Sequence, residues 1–140
     1  MDLALEDVFA QTKRYDYPLT CVFRDIDHFK QINDTHGHSV GNFVLLDLSG
    51  LLLETRRRTD SCYRYGGEEF VVLLPHTPLS GGEVFAERLL DRIRNHAFVT
   101  DDLSLRITVS LGFAGYQRDE IDTPDRLLKC AINALSEAKN

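Results

Sequence analysis

The sequence predicts an α+β domain, a mostly antiparallel sheet flanked by helices, and three observations carry the prediction. Helical apolar spacings alternate with short runs rich in β-branched and aromatic residues. Two of those runs are joined by Gly66-Gly67, the composition of a tight hairpin, so strand follows strand instead of strand always following helix. The chain of 140 residues has the size of one domain with one core. A single domain over residues 1–140 is therefore expected.

Each element has its own signal. Leu5, Val8 and Phe9 recur with helical spacing, so residues 2–15 read as a helix that stops at the Tyr15-Asp16-Tyr17-Pro18 turn. Leu19 to Ile26 reads as a strand ending at polar Asp27, before a short helical piece through Asn33 and a turn at Gly37. Ser39 is a candidate cap for a long helix whose buried stripe is Val40, Phe43, Val44, Leu48, Leu51 and Leu52. That helix runs out in Arg56, Arg57 and Arg58, cations that suit a helix C-terminus. Ser61 to Tyr65 and Glu69 to Leu74 form the hairpin. Ser80 with Glu83 resembles a capping box ahead of a helix with Phe85, Leu89 and Ile93 inside. Leu105 to Ala114 reads as one strand. Thr123 can cap a last helix that has Pro124 at its first position and Leu127, Leu128, Ala131, Leu135 and Ala138 along one side.

Composition narrows the function. A net charge of −6 argues against holding a long nucleic acid, which needs a surplus of Lys and Arg, but one polyphosphate needs only local cations and a metal. The apolar stretches are interrupted or too short to span a bilayer, and acidic Asp2, Glu6 and Asp7 exclude a secretory signal at the start. Cys21, Cys62 and Cys130 lack the close pairing of a zinc site, and reduced thiols in a cytoplasmic protein are the expectation.

Geometry then singles out three carboxylates. If the Leu19 to Ile26 strand pairs antiparallel with the strand starting at Glu69, Asp25 lies beside the hairpin turn, close to Glu68 and Glu69. Mg²⁺ prefers oxygen ligands and bridges them to phosphates, which is the requirement of phosphoryl transfer. Gly66 and Gly67 can adopt positive φ and let a nucleotide come close to the backbone. Taken alone, Gly-Gly also suits any hairpin and Glu-Glu any solvated strand start.

The residues resemble a known family. Tyr65-Gly66-Gly67-Glu68-Glu69-Phe70 is similar to the signature of GGDEF diguanylate cyclases in its Gly-Gly-Glu-Glu-Phe form. Asp25-Ile26-Asp27-His28-Phe29-Lys30, Ile32 to His38, Thr108-Val109-Ser110-Leu111-Gly112 and the terminal Ala134-Leu135 and Ala138-Lys139 match in order and spacing. The resemblance implies a fold like nucleotide cyclases and polymerase palm domains, with a ferredoxin-like sheet. It implies condensation of two GTP molecules into cyclic di-GMP with release of two pyrophosphates. Asp25, the Ile26 carbonyl, Glu68 and Glu69 would hold Mg²⁺ or Mn²⁺, and Glu68 would accept the proton of the attacking hydroxyl. Lys30 would stabilise developing phosphate charge and Lys139 grip the phosphates. Asn33, His38, Asn42 and Phe29, with Gly66 and Gly67, would bind the substrate. Each active site would hold one GTP, so a homodimer is needed. Arg57 and Asp60, with Arg88, resemble the family's Arg-x-x-Asp inhibitory site for cyclic di-GMP.

Several positions depart from the pattern. Asn42 stands where the family has Asp, Arg24 where a small or apolar residue is usual, and Ile132 and Ser136 where Asp and Tyr are common. Segments typical of the family on either side are absent, so a trimmed fragment of a larger signalling protein is expected, with no membrane contact of its own. Two alternatives stay open: a catalytically weak module that binds cyclic di-GMP or GTP and regulates a neighbouring domain, and a cyclase that accepts adenine.

Overall fold

A computed structural model describes residues 3–116 and 120–139, with side chains for 5–116 and 120–137. The elements run α1 (Leu3–Tyr15), β1 (Leu19–Ile26), α2 (Phe29–His36), α3 (His38–Thr55), β2 (Ser61–Arg64), β3 (Glu69–Pro75), α4 (Leu79–Arg94), β4 (Phe98–Thr100), β5 (Leu103–Leu105), β6 (Val109–Gly115) and α5 (Pro124–Lys139). The main sheet has the order β2-β3-β1-β6, and all of its pairings are antiparallel. The α+β expectation holds, and β1 keeps the expected bounds.

Period-2 side-chain alternation splits the sheet into two cores. Val22, Ile26, Phe70, Val72 and Leu74 face α3 and α4, where Val44, Leu48, Leu52, Phe85, Leu89 and Ile93 meet them. Cys21, Phe23, Val71 and Leu73 face the other way, onto Leu5 and Phe9 of α1 and Leu127, Ala131 and Leu135 of α5. The central strands are thus buried on both faces, which is why β1 and β3 read as continuous apolar runs. Helix α5 packs very closely on β6. A Cβ at Gly112 would collide with the Ala131 carbonyl oxygen and lie 2.8 Å from Leu135 Cα.

Three local expectations are corrected. Ser39 does not cap α3: Gly37 holds the N-cap position at φ 93, open to glycine without strain, and Ser39 sits exposed in the first turn. The Ser80–Glu83 box does not form either, because α4 starts at Leu79 behind Pro78, one residue before the serine. The expected strand from Leu105 to Ala114 is two strands. β5 pairs with β4 in a separate ribbon, and the chain passes through buried Ile107 before β6 enters the main sheet. The β4–β5 ribbon was not legible because its strands are three residues each, too short for a periodicity. The last helix does begin as expected, with the Arg126 N–H donating to Thr123 Oγ1 at 3.2 Å. On α3 the stripe is Gly41, Val44, Leu45, Leu48, Leu51 and Leu52, while Val40 and Phe43 are half-buried.

Candidate active site

Strand register assembles the carboxylate edge. Asp25 lies directly across from Glu69 on one side and Ser110 on the other. Residues opposite one another in an antiparallel ladder share a face, so Asp25 and Glu69 point the same way. Glu68 precedes β3 in the turn, and all three acids are half-buried. The expected meeting of β1 with the hairpin turn is therefore present in the register.

The turn is closed by Tyr65 N–H and Gly66 N–H, both donating to the Glu69 carbonyl oxygen, at 2.8 and 3.3 Å. The side chain of Glu69 folds back against Gly66, where an added Cβ would collide with Oε1. The glycine therefore leaves room for a carboxylate. Positive φ is not its role: among the described glycines only Gly37 has it, so that expectation for Gly66 and Gly67 is corrected. Tyr65 anchors the turn edge-on against Phe23, with ring centroids 5.5 Å apart.

Two features were missed by sequence reasoning. Asp27 is gripped by β6: Thr108 Oγ1 and Ser110 Oγ donate to its carboxylate at 2.8 and 2.6 Å, and its own N–H donates to the Thr108 carbonyl at 3.0 Å. This clamp fixes the loop that carries Phe29 and exposed Lys30 into α2, with His28 between Asp27 and Phe29 at φ 58. Thr108 and Ser110 within the recognised Thr-Val-Ser-Leu-Gly run were the available signal. The second feature is Arg64, whose guanidinium spans the turn. Its Nε donates to the carbonyls of Gly66 and Gly67 at 3.1 Å each, and its Nη2 donates to Gly67 at 2.5 Å.

The proposed base-binding residues lie around the start of α3. Asn33 Oδ1 is buried without a hydrogen-bond partner among the described residues. A Cβ at Gly41 would run into this carboxamide and come within 3.3 Å of the Phe29 ring, so the small residue makes room for both. His38 and Asn42 are exposed in the first turns of α3. Asn42 and Arg64 also border a cavity of about 570 Å³ between α3 and β2, with Leu45, Leu52, Cys62 and Phe70 among its walls. Lys139 ends α5, and its side chain lies outside the described residues.

An oxygen donor set suits a hard divalent cation. Among the described residues no three His, Cys, Asp or Glu side chains form a group that could hold a metal by themselves. Mg²⁺ commonly takes only one or two protein carboxylates and completes its shell with water and substrate phosphate. Asp25 opposite Glu69, beside the space kept clear at Gly66, fits that demand.

Arg57 and Asp60 make a closed corner. Asp60 is nearly fully buried. Arg57 Nε and Nη2 donate to its two oxygens at 3.3 and 3.1 Å, and the Arg57 backbone N–H donates to Oδ2 at 2.9 Å. The same guanidinium donates to the Pro75 carbonyl at 3.2 Å and to Thr77 Oγ1. Arg88 of α4 lines the adjoining depression of about 290 Å³.

Arg24 is fully buried in the middle of the sheet, and its three guanidinium nitrogens have no hydrogen-bond partner among the described residues. Among the described residues no acid hydrogen-bonds to it, although the neighbouring Asp25 carboxylate favours its charge. Its guanidinium stacks 4.3 Å from the Phe70 ring centre. Loss of hydration lowers its pKa to about 9. Burial acts oppositely on the thiols and pushes Cys62 up to about 11.

A family model described as "Diguanylate cyclase, GGDEF domain" matches residues 1–140, and the chain belongs to the GGDEF domain family. Diguanylate cyclase A of Treponema denticola is 35% identical over 121 residues, 86% of this chain and 32% of that protein. The structure of the active GGEEF domain of a diguanylate cyclase from Vibrio cholerae superposes with a TM-score of 0.88 at 32% identity, covering 97% of this chain and 85% of that one. The GGDEF domain of DgcB from Caulobacter crescentus in complex with c-di-GMP gives a TM-score of 0.89 at 26% identity, covering 97% and 80%. The chain spans about a third of the length of the curated relatives it matches. No helix among the described residues is long and apolar enough to cross a membrane.

Proposed function

We propose that this domain condenses two GTP molecules into cyclic di-GMP, one GTP bound by each of two copies facing one another. The observation that carries the reading is the β1–β3 register, which sets Asp25 opposite Glu69 next to Glu68 in a chain of the GGDEF family. Asp25, Glu68, Glu69 and the Ile26 carbonyl would hold Mg²⁺ or Mn²⁺. That ion, when bound, would neutralise triphosphate charge.

The residues of the chain divide the remaining work. Glu68 takes the proton from a ribose 3′-hydroxyl. The resulting oxygen forms a bond to the α-phosphorus of the facing GTP as the bond to pyrophosphate breaks in line; two such steps close the ring and release two pyrophosphates. Lys30 and Lys139 offset charge on the phosphates. Asn33 Oδ1, a buried acceptor with no donor among the described residues, suits the N–H edge of guanine, with Phe29 behind it and His38 and Asn42 from the first turns of α3 as further contacts. Arg57 and Arg88 bind product phosphates at the inhibitory corner, which Asp60 holds in shape.

A second reading is favoured by Asn42 in place of the family's Asp. An amide presents one acceptor and a competing NH₂ to guanine, so the domain would act as a weakly catalytic module that senses cyclic di-GMP or GTP. Incubation with GTP and Mg²⁺, followed by mass analysis, separates the two. Cyclic di-GMP made by the parent and lost in Glu68→Ala supports the enzyme. Product undiminished in Glu68→Ala rejects the base, and a parent that binds cyclic di-GMP without making it selects the module.

A further inference from the structure

We infer that Arg64 is a positioning residue for the proposed reaction, a clamp that holds the Gly66–Gly67 turn in the shape that presents Glu68 and Glu69. The inference deepens the cyclase reading and rests on it for its kinetic part.

A turn of two glycines has the widest backbone freedom of any dipeptide, so something outside it must select one shape. Two backbone N–H groups close it from within, those of Tyr65 and Gly66, both on the Glu69 carbonyl. The carbonyls of Gly66 and Gly67 point the other way and converge on the Arg64 guanidinium, which reaches both through Nε and adds a bond from Nη2 to Gly67. A planar fork holds the two carbonyls in one fixed geometry, whereas an ammonium has three donors but turns on a flexible stem. Arg64 is exposed and its own stem belongs to β2, paired to Phe70, so the clamp ties the turn to the ladder that carries it. The same guanidinium is the one charged side chain among the residues that line the cavity reaching to Asn42. A charge-only role there predicts different behaviour from a clamp.

The test compares the parent, Arg64→Met and Arg64→Lys. A clamp predicts that kcat for cyclic di-GMP formation falls about 10- to 100-fold in both variants, as for a misplaced reacting group, while KM for GTP moves by less than about 3-fold. It also predicts that amide hydrogen exchange at Tyr65 and Gly66 accelerates at least about 10-fold in both variants. Exchange is read whether or not the parent turns over GTP. A parent without activity thus counts against the cyclase reading while leaving the clamp to the exchange data. Unchanged exchange in Arg64→Met overturns the clamp. So does full recovery of kcat in Arg64→Lys, which would assign the residue a charge effect on substrate instead.

Discussion

The carboxylate edge and the Arg57–Asp60 corner are both built from charged residues near the ends of β3, yet they are finished differently. At the edge, strand pairing brings Asp25 and Glu69 together half-buried, and on α2 the Asn33 carboxamide oxygen has no donor among the described residues. At the corner the carboxylate is satisfied: both Asp60 oxygens accept from Arg57, whose Nη2 also donates to Pro75 and Thr77. The Asn33 oxygen is thus an acceptor to which a substrate can donate. The corner has both carboxylate oxygens engaged, so a ligand there gains only what Arg57 and Arg88 can offer outward. Asp60 therefore reads as the residue that aims Arg57, because a buried carboxylate with both oxygens engaged has little left for a ligand.

The comparison can be broken most severely at the edge. Glu68→Ala is expected to lower cyclic di-GMP formation by about 10²- to 10⁴-fold, the usual worth of a general base, in a steady-state assay with product quantified by mass. Gly66→Ala should follow at about 10- to 100-fold in kcat, because its Cβ occupies the place of Glu69 Oε1 and the carboxylate must move.

Changes at the corner separate stability from ligand response. Asp60→Ala should lose about 2 kcal/mol in urea unfolding, less than for a fully buried pair because Arg57 is half exposed. Arg57→Ala should leave basal turnover intact while abolishing inhibition by added cyclic di-GMP. If Asp60→Ala instead kept full stability and lost only inhibition, Asp60 would be a ligand contact and the contrast between the regions would fall.

Arg24 provides the smallest and opposite effect. Replacing this unpaired buried cation by Met is expected to stabilise the domain by about 1–3 kcal/mol at neutral pH, less whatever the Phe70 stack contributes. Its folded pKa of about 9 lies below the ordinary value of a guanidinium, so above pH 9 the unfolded chain binds more protons than the folded one. The parent's penalty from Arg24 therefore shrinks as pH rises through 9, and the gap between Arg24→Met and the parent should narrow. Urea titrations of the two proteins at pH 7 and pH 10 measure that gap, and the thiols, common to both, cancel.

Much of the molecule could be read from residues in order. The β1 run, the Thr123–Pro124 helix start and the Gly-Gly hairpin each have a cause within a few residues, and each appears where expected. Local caps were less legible. Ser39 and Ser80 both have the chemistry of a cap, but a glycine with positive φ and a proline stand two residues upstream and start the helices earlier. The split of the Leu105 to Ala114 run was hidden for another reason: a strand pattern says that residues are extended without saying which partner they pair with.

The sequence by itself determined the class of fold, the family signature and which side chains carry chemistry, because periodicity and motif are properties of neighbours along the chain. Tertiary structure alone decided what those side chains can do. Pairing of β1 with β3 put Asp25 across from Glu69, β6 tied down Asp27, and folding back of the hairpin gave the glycine carbonyls to Arg64. Burial left the Arg24 guanidinium with an aromatic ring in place of a hydrogen-bond partner among the described residues, and closed Asp60 off from solvent. Register, solvent access and hydrogen-bond satisfaction are relations between residues distant in the chain, and they take values only once the chain has folded.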